Sequence, residues 1–360
     1  MRMVVGAGGT GGHIVPALAV ADAVRRRIPV DVLFVGAGRE VEERLVLKAG
    51  YGLEKVPVAG LPRGPSSKLF VFAFGLVKGL LRCRRIFLDF RPHLAFCTGG
   101  YAAFPVGVMA VLFRLPLHIH EPNRLPGLVN RLLFPWARKV YVGFAGVGPK
   151  GKEVCTGNPV RWEVGRISRE EGRRRFGLGD GPVVFAFGGS QGARAINEAL
   201  GRSLRRIVGE GAEVVWQTGE GDFEWASKTA EAYGGKVRVF AFVEDMAHIL
   251  AAADLAVCRA GAMTVSELTA SGLPAILVPL PSSAGGHQLR NARALEDAGA
   301  AVVLEEVELG RLAEEVVGLL KDEGRLRRMK RASRRLGRRD AAERIAEGIS
   351  KELTQSSEHV

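Results

Sequence analysis

Short apolar runs alternate with stretches of helical spacing along the chain, and glycine-rich turns separate them. Residues 3–6 read as a strand, GAGGTGGH as a glycine turn, and 14–26 as a helix that tolerates Pro16 in its first turn. A strand over 30–35, a helix over 39–49, an apolar helix around Leu76, and strands over 94–98 and 117–120 continue the rhythm. Strands alternating with helices predict an α/β fold whose sheet is largely parallel and covered on both faces.

The pattern restarts after Pro159 with a charged helix over 170–177. A strand over 183–187, the glycine turn GGSQGA and a helix over 194–208 follow, then strands over 214–217, 237–240, 255–258 and 275–278. Two halves that each open with strand, glycine loop and helix imply two Rossmann-like domains. The junction falls in 156–168, TGNPVRWEVGRIS, whose Gly, Pro and charged residues suit a hinge. The expected domains are 1–160 and 161–340, with 341–360 a closing helix that can return to the first domain before a frayed tail. The text from 311 to 349 reads as helical throughout and strongly basic.

Composition narrows the class. A chain of 360 residues, 47% hydrophobic and 25% charged, excludes a disordered tail protein and a small disulfide module. Lys and Arg number 51 against 38 Asp and Glu, a net charge of +13 that favours an anionic partner: nucleotide, nucleic acid or lipid. The basic run RRMKRASRRLGRR comes without aromatic stacking residues or a base-reading motif, which disfavours nucleic acid and leaves a solvated face or anion contact. Cys83, Cys97, Cys155 and Cys258 form no CxxC pair, so neither a zinc ribbon nor a disulfide framework is expected, and a reduced cytosolic compartment fits. Glycines interrupt the start before a signal-peptide core can form. The apolar stretch 69–83 contains Lys78 and is too short and interrupted for a membrane span; it reads either as a core helix or as an amphipathic surface resting on anionic lipid.

Three glycine loops carry the candidate chemistry. Gly8, Gly9, Gly11 and Gly12 lie between strand and helix, where backbone N–H groups can face an anion, and Thr10 and His13 add polar groups. The spacing is not that of a dinucleotide fingerprint, and no P-loop lysine follows. The second loop, Gly188 to Ala193, has the same placement, and its amides, the following helix and the Ser190 hydroxyl suit a diphosphate. The third, GGYAAFP from Gly99, is either a strand-to-helix turn or the floor for a lipid-linked acceptor.

The motifs GGTGGH from Gly8, GGYAAFP from Gly99, HEPN from His120, GNPVR from Gly157, GGSQGA from Gly188, FVEDM from Phe242, CRAGAMTVSE from Cys258 and HQLRNA from His287 run in order over most of the chain. Together they resemble the MurG family of peptidoglycan N-acetylglucosaminyltransferases. The resemblance implies a GT-B fold, two Rossmann-like domains facing an interdomain cleft. It also implies inverting transfer of N-acetylglucosamine from UDP-N-acetylglucosamine to the 4-hydroxyl of lipid I, giving lipid II. The UDP-sugar is a substrate, with no cofactor and no metal. Such an enzyme works as a peripheral protein at the cytoplasmic face of the cell membrane, on an anionic lipid surface and among other cell-wall synthesis proteins.

By that resemblance Thr10, Gly11 and Gly12 belong to the donor site, and Arg161, Gly189, Ser190, Gln191, Gly192 and Ala193 border the donor phosphates. Phe242, Val243 and Met246 border the uracil, with Val243 supplying backbone polar groups. Ala262, Met263, Thr264 and Glu267 form the TVSE region, where the Glu267 carboxylate accepts the ribose hydroxyls, and Gln288 and Asn291 read the donor sugar. Gly100, Tyr101, Asn123 and Asn130 fall to the acceptor, with His13 as catalytic base and Glu121 as its rival. Two departures stand out: Pro122 replaces the family's glutamine, and Gly285 and Gly286 precede His287 where a charged residue is common. Other readings are a different GT-B glycosyltransferase, a non-hydrolysing UDP-N-acetylglucosamine epimerase, or an inactive UDP-sugar-binding membrane module.

Overall fold

The first strand, β1 (Arg2–Ala7), sends Met3, Val5 and Ala7 into one hydrophobic core and Val4 into another. That period of two is what a strand buried on both faces produces. The computed structural model describes residues 1–9, 11–58 and 68–357, and the chain divides into two units, Met1–Arg161 with Asp340–Val360, and Trp162–Arg339.

In the first unit β1 is joined by β2 (Asp31–Gly36), β3 (Gly52–Lys55), β4 (Leu94–Gly99), β5 (Leu117–Glu121), β6 (Lys139–Val142) and β7 (Glu153–Cys155). They form a sheet in the order β3-β2-β1-β4-β5-β6-β7, every pairing parallel. The second unit holds β8 (Val183–Phe187), β9 (Glu213–Gln217), β10 (Val237–Phe240), β11 (Leu255–Cys258), β12 (Ala275–Leu277) and β13 (Ala301–Val303), in the order β10-β9-β8-β11-β12-β13. Both orders reverse direction next to the opening strand, and ligands of such sheets bind at the carboxyl ends of strands flanking that reversal. The loops after β1 and β4, and those after β8 and β11, occupy this position.

Several elements differ from the sequence pattern. The first helix is Gly11–Arg27, so Pro16 lies beyond the first turn, and its missing amide leaves the Gly12 carbonyl without its helix donor. The basic text after residue 311 is three helices, Leu312–Lys321, Glu323–Leu336 and Ala341–Ser357. Asp322 makes the first break, its carboxylate accepting the Arg325 N–H at 2.7 Å as an N-cap. The Ala341–Ser357 helix packs on Gly11–Arg27 through Ile345, Ala346, Ile349 and Leu353, all fully buried. Strands β3 and β7 lack a long apolar run because they lie at sheet edges, where little of the strand is covered.

Candidate active site

Loops one and three interlock in the first unit. A side chain at Gly100, whose φ is +78°, would overlap the Gly8 carbonyl oxygen, and one at Gly99 (φ +104°) would lie 3.0 Å from Cε1 of His13. The paired glycines therefore let two backbones and the His13 ring meet, beyond making a turn. Gly9 is gripped from both sides: its N–H donates to Glu42 Oε1 at 2.6 Å, and its carbonyl accepts from Arg39 at 2.9 Å. Glu42 is fully buried and also accepts from the Gly38 and Arg39 amides. The Gly9 amide, expected to be open to an anion, is thus already committed to a carboxylate. Gly11 and Gly12 open the helix, and Thr10 lies outside the described residues.

His13 Nδ1 lies 2.9 Å from the Thr98 carbonyl oxygen, and the Thr98 hydroxyl donates to the His13 carbonyl at 2.8 Å. A carbonyl only accepts, so Nδ1 carries the proton and the lone pair of the neutral ring is on Nε2. Burial pushes the His13 pKa below its ordinary value, and the Glu121 charge and the Thr98 carbonyl offset only part of this. The ring is therefore a neutral base at pH 7.

Glu121, buried at the end of β5, accepts four N–H bonds. Asn123 gives its backbone amide (2.9 Å) and side-chain amide (3.2 Å) to Oε1, while the Gly127 amide (3.0 Å) and Asn130 Nδ2 (2.9 Å) reach Oε2. Asn130 Nδ2 also lies 3.1 Å from the His120 carbonyl. Both carboxylate oxygens are thus committed to holding the 121–130 loop. Pro122 has no N–H, yet its carbonyl still accepts from Asn158 Nδ2 at 3.2 Å, which keeps the loop tied to the GNPV segment. Tyr101 is exposed, and Arg161 is the half-buried last residue before the unit boundary.

In the second unit the GGSQGA loop leads from β8 into the Arg194–Gly209 helix. Gly189 (φ +92°) and Gly192 (φ +78°) adopt left-handed backbone, and a side chain at Gly192 would overlap the Thr218 carbonyl. Ala193 caps the helix without a side-chain bond and its first turn has no acidic residue, so no carboxylate there competes with an anion for the leading amides and the positive end of the dipole. Ser190 and Gln191 stand in this loop, half-buried and exposed respectively. The contrast with Gly9 over Glu42 marks this loop as the better phosphate cradle.

Gln217, at the end of β9 and almost wholly buried, was not singled out by the sequence. Its Nε2 donates to the Gly189 carbonyl at 2.9 Å and its Oε1 accepts the Val243 N–H at 2.8 Å. This amide is a strut between the glycine loop and the Phe242–Met246 segment. It also takes the Val243 N–H expected to face a nucleobase, leaving the Val243 carbonyl; the Val243 and Met246 side chains are buried and Phe242 is half-buried.

The Ala262–Ser271 helix follows β11, which pairs with β8. Ala262, Met263 and Glu267 are buried and Thr264 is half-buried, so Glu267 is neither at the helix start nor a solvent-facing carboxylate. Burial, aided by the Glu267 charge, pushes the Cys258 thiol pKa up, so it stays protonated. Asn291 Nδ2 anchors the turn before this helix by donating to the Ala260 carbonyl at 3.0 Å, and Gln288 Oε1 accepts the Leu280 N–H at 3.0 Å. Each amide thus keeps one end for other work. Gly285 and Gly286 both adopt left-handed φ, +60° and +65°, immediately before the His287–Asp297 helix, which explains glycine at both positions. Arg259, also not singled out, is held by the Val278 and Pro279 carbonyls and an ion pair with Glu306, and so braces the loop after β12.

Among the described residues no helix is long and apolar enough to cross a membrane, and no three His, Cys, Asp or Glu side chains gather as metal ligands would.

Two family models match the chain: the glycosyltransferase family 28 N-terminal domain over residues 3–142 and the family 28 C-terminal domain over 183–345. A UDP-N-acetylglucosamine–N-acetylmuramyl-(pentapeptide) pyrophosphoryl-undecaprenol N-acetylglucosamine transferase of Acetivibrio thermocellus is 39% identical, covering 97% of both chains. The protein of that name from Desulfitobacterium hafniense is 41% identical over 96% of this chain and 97% of its own. The crystal structure of Acinetobacter baumannii MurG superposes with a TM-score of 0.71 at 27% identity, covering 97% of this chain and 99% of that one.

Proposed function

Since the chain belongs to glycosyltransferase family 28, and within it to the MurG family with its two-domain GT-B fold, we propose how its residues divide the transfer reaction. The enzyme is a UDP-N-acetylglucosamine-dependent glycosyltransferase that converts lipid I to lipid II in peptidoglycan synthesis. The acceptor 4-hydroxyl attacks the anomeric carbon of the donor sugar, the bond to UDP breaks, and inversion gives a β-1,4 link. His13 Nε2 takes the hydroxyl proton as the new bond forms. The observation that carries this assignment is the Nδ1 contact with Thr98, which fixes the tautomer with its lone pair on Nε2.

Glu121 then serves as a positioning residue: it shapes the acceptor loop bearing Asn123 and Asn130 and does not take the proton. On the donor side the amides of Gly189, Ser190, Gln191 and Ala193, with the Ser190 hydroxyl and the Arg194–Gly209 helix start, hold the diphosphate and absorb the charge that develops on UDP as it leaves, while the Gly192 N–H closes the loop onto the Gly189 carbonyl at 3.1 Å. Arg161 adds a guanidinium to that charge, Glu267 accepts the ribose hydroxyls, and Gln288 and Asn291 keep amide groups for the sugar.

The Lys68–Phe90 helix supports a peripheral site of action at the cytoplasmic membrane face. It buries Cys83, Ile86 and Phe87 and exposes Phe74, Val77, Leu81 and Leu88 along one stripe, beside Lys78 and Arg82. An apolar stripe edged with cations suits an anionic bilayer. The function is tested by following labelled sugar from UDP-N-acetylglucosamine onto a short-chain lipid I analogue with EDTA present; product is expected despite the chelator. No product, or product only after metal is restored, would overturn this reading.

A further inference from the structure

An apolar groove of about 240 Å³ opens beside the third glycine loop in the first unit. Phe72 and Leu76 from the Lys68–Phe90 helix, Tyr101 and Phe104 from the loop and its helix, and Leu128 and Leu132 from the Leu128–Leu133 helix line it. None of these side chains carries a charge or an amide, so the groove suits hydrocarbon rather than sugar or peptide.

Its place relative to the proposed base identifies the hydrocarbon. A side chain on Gly99 would meet the His13 ring at 3.0 Å, so the backbone here runs beside the ring, and Tyr101, two residues on, already lines the groove. Two Cα steps span at most ~7.6 Å, a reach comparable with a diphosphate bridge. Exposed Arg124 and Arg131 flank Leu128 and make no ion pair among the described residues, so cations are available beside the groove for that bridge. Beyond the groove, the exposed Phe74, Val77 and Leu81 continue the apolar path along the same helix. A base, cations and then an apolar slot follow the order sugar, diphosphate and prenyl chain in a polyprenyl-diphosphate-linked sugar.

We propose that this groove takes the proximal isoprene units of the acceptor's polyprenyl chain, so that the enzyme recognises the lipid itself and not only the sugar and diphosphate. The proposal rests on the lipid I reading above. It predicts chain recognition in free solution, where no bilayer contributes.

The test compares two water-soluble acceptors, N-acetylmuramyl-peptide diphosphate esterified with geranyl or with methyl, without membranes or detergent. The wild-type enzyme should prefer the geranyl acceptor by about tenfold in kcat/KM. The double variant Leu128→Gln, Leu132→Gln should bring that ratio close to one by raising KM for the geranyl acceptor, with folding checked by circular dichroism. Leu112→Gln, at an exposed apolar residue outside the groove, should keep the wild-type ratio. An unchanged ratio in the groove variant, a ratio near one in the wild type, or an equal loss in Leu112→Gln would overturn the groove. Absence of turnover with either acceptor in the wild type would overturn the transferase reading, and the groove with it.

Discussion

The Nδ1 atom of His13 lies 2.9 Å from the carbonyl oxygen of Thr98, and the two residues exchange a second bond through the Thr98 hydroxyl. This reciprocal pair joins the start of the Gly11–Arg27 helix to the end of β4, the two elements flanking the sheet's reversal. A backbone carbonyl that accepts from Nδ1 orients the ring without adding a charge, and burial keeps the ring neutral near pH 7.

Removing the acceptor-loop hub should separate acceptor from donor effects. Glu121→Gln offers one accepting oxygen where the carboxylate uses two, and its NH₂ must face the N–H groups of Gly127 and Asn130 or of Asn123. An unmatched buried pairing of this kind costs about 1–3 kcal/mol. KM for lipid I should rise while UDP affinity, read by calorimetry, stays put. A collapse of kcat at unchanged acceptor KM would return Glu121 to the role of base.

The strut in the second unit makes a different forecast. Gln217→Leu cuts both the bond to the Gly189 carbonyl and the one from the Val243 amide, so the GGSQGA loop and the Phe242–Met246 segment, proposed to hold phosphate and nucleobase, lose their common tie. UDP should bind about tenfold more weakly or worse, and uridine should also lose affinity although it has no phosphate. Unaltered UDP binding in a folded variant would remove Gln217 from donor recognition.

Acid should destabilise the first unit through two other histidines. Burial pushes His118 and His120 down to about 3 each, helped by Lys139 and Arg138 at His118 and by His13 at His120. With the folded values below the unfolded value near 6.5, the unfolded chain binds more protons. Stability is therefore full above about pH 6.5 and falls as pH drops toward 3, by on the order of 1 kcal/mol per pH unit for each histidine. Urea titrations at pH 7.5 and 5 should show a lower midpoint in acid for the wild type and a smaller drop for His118→Gln. An equal drop in both would assign the acid sensitivity elsewhere.

Membrane contact should require both the apolar stripe and the charge. Phe74→Gln with Leu81→Gln should weaken sedimentation with anionic vesicles severalfold, and raised salt should weaken the wild type similarly. Equal binding to neutral vesicles would refute the electrostatic part.

Much of this architecture was legible because it is local. The strand, glycine loop and helix openings at Met3 and Val183 lie within short windows, and β8 and β11 end where the apolar runs end. What escaped is long-range. Glu42 reaches Gly9 across 33 residues, and Gln217 joins segments 28 residues before it and 26 after it, so no spacing announces either. Glu121 read as a rival base because sequence shows a carboxylate but not the four donors around it. The Lys68–Phe90 helix left a choice between core and interface because its period is the same in both cases. The structure gives it a buried face and an exposed apolar one.

Whether neutral His13 accepts the proton in sugar transfer is read from the pH profile of single-turnover transfer for wild type and His13→Ala, with donor affinity measured in parallel. The wild type should show an acid limb below the ordinary histidine value of 6.5. In His13→Ala that limb should vanish and the rate should fall by about 100-fold or more at nearly unchanged UDP-N-acetylglucosamine affinity. An acid limb that persists in His13→Ala, or equal losses of rate and donor affinity, would show that another group takes the proton.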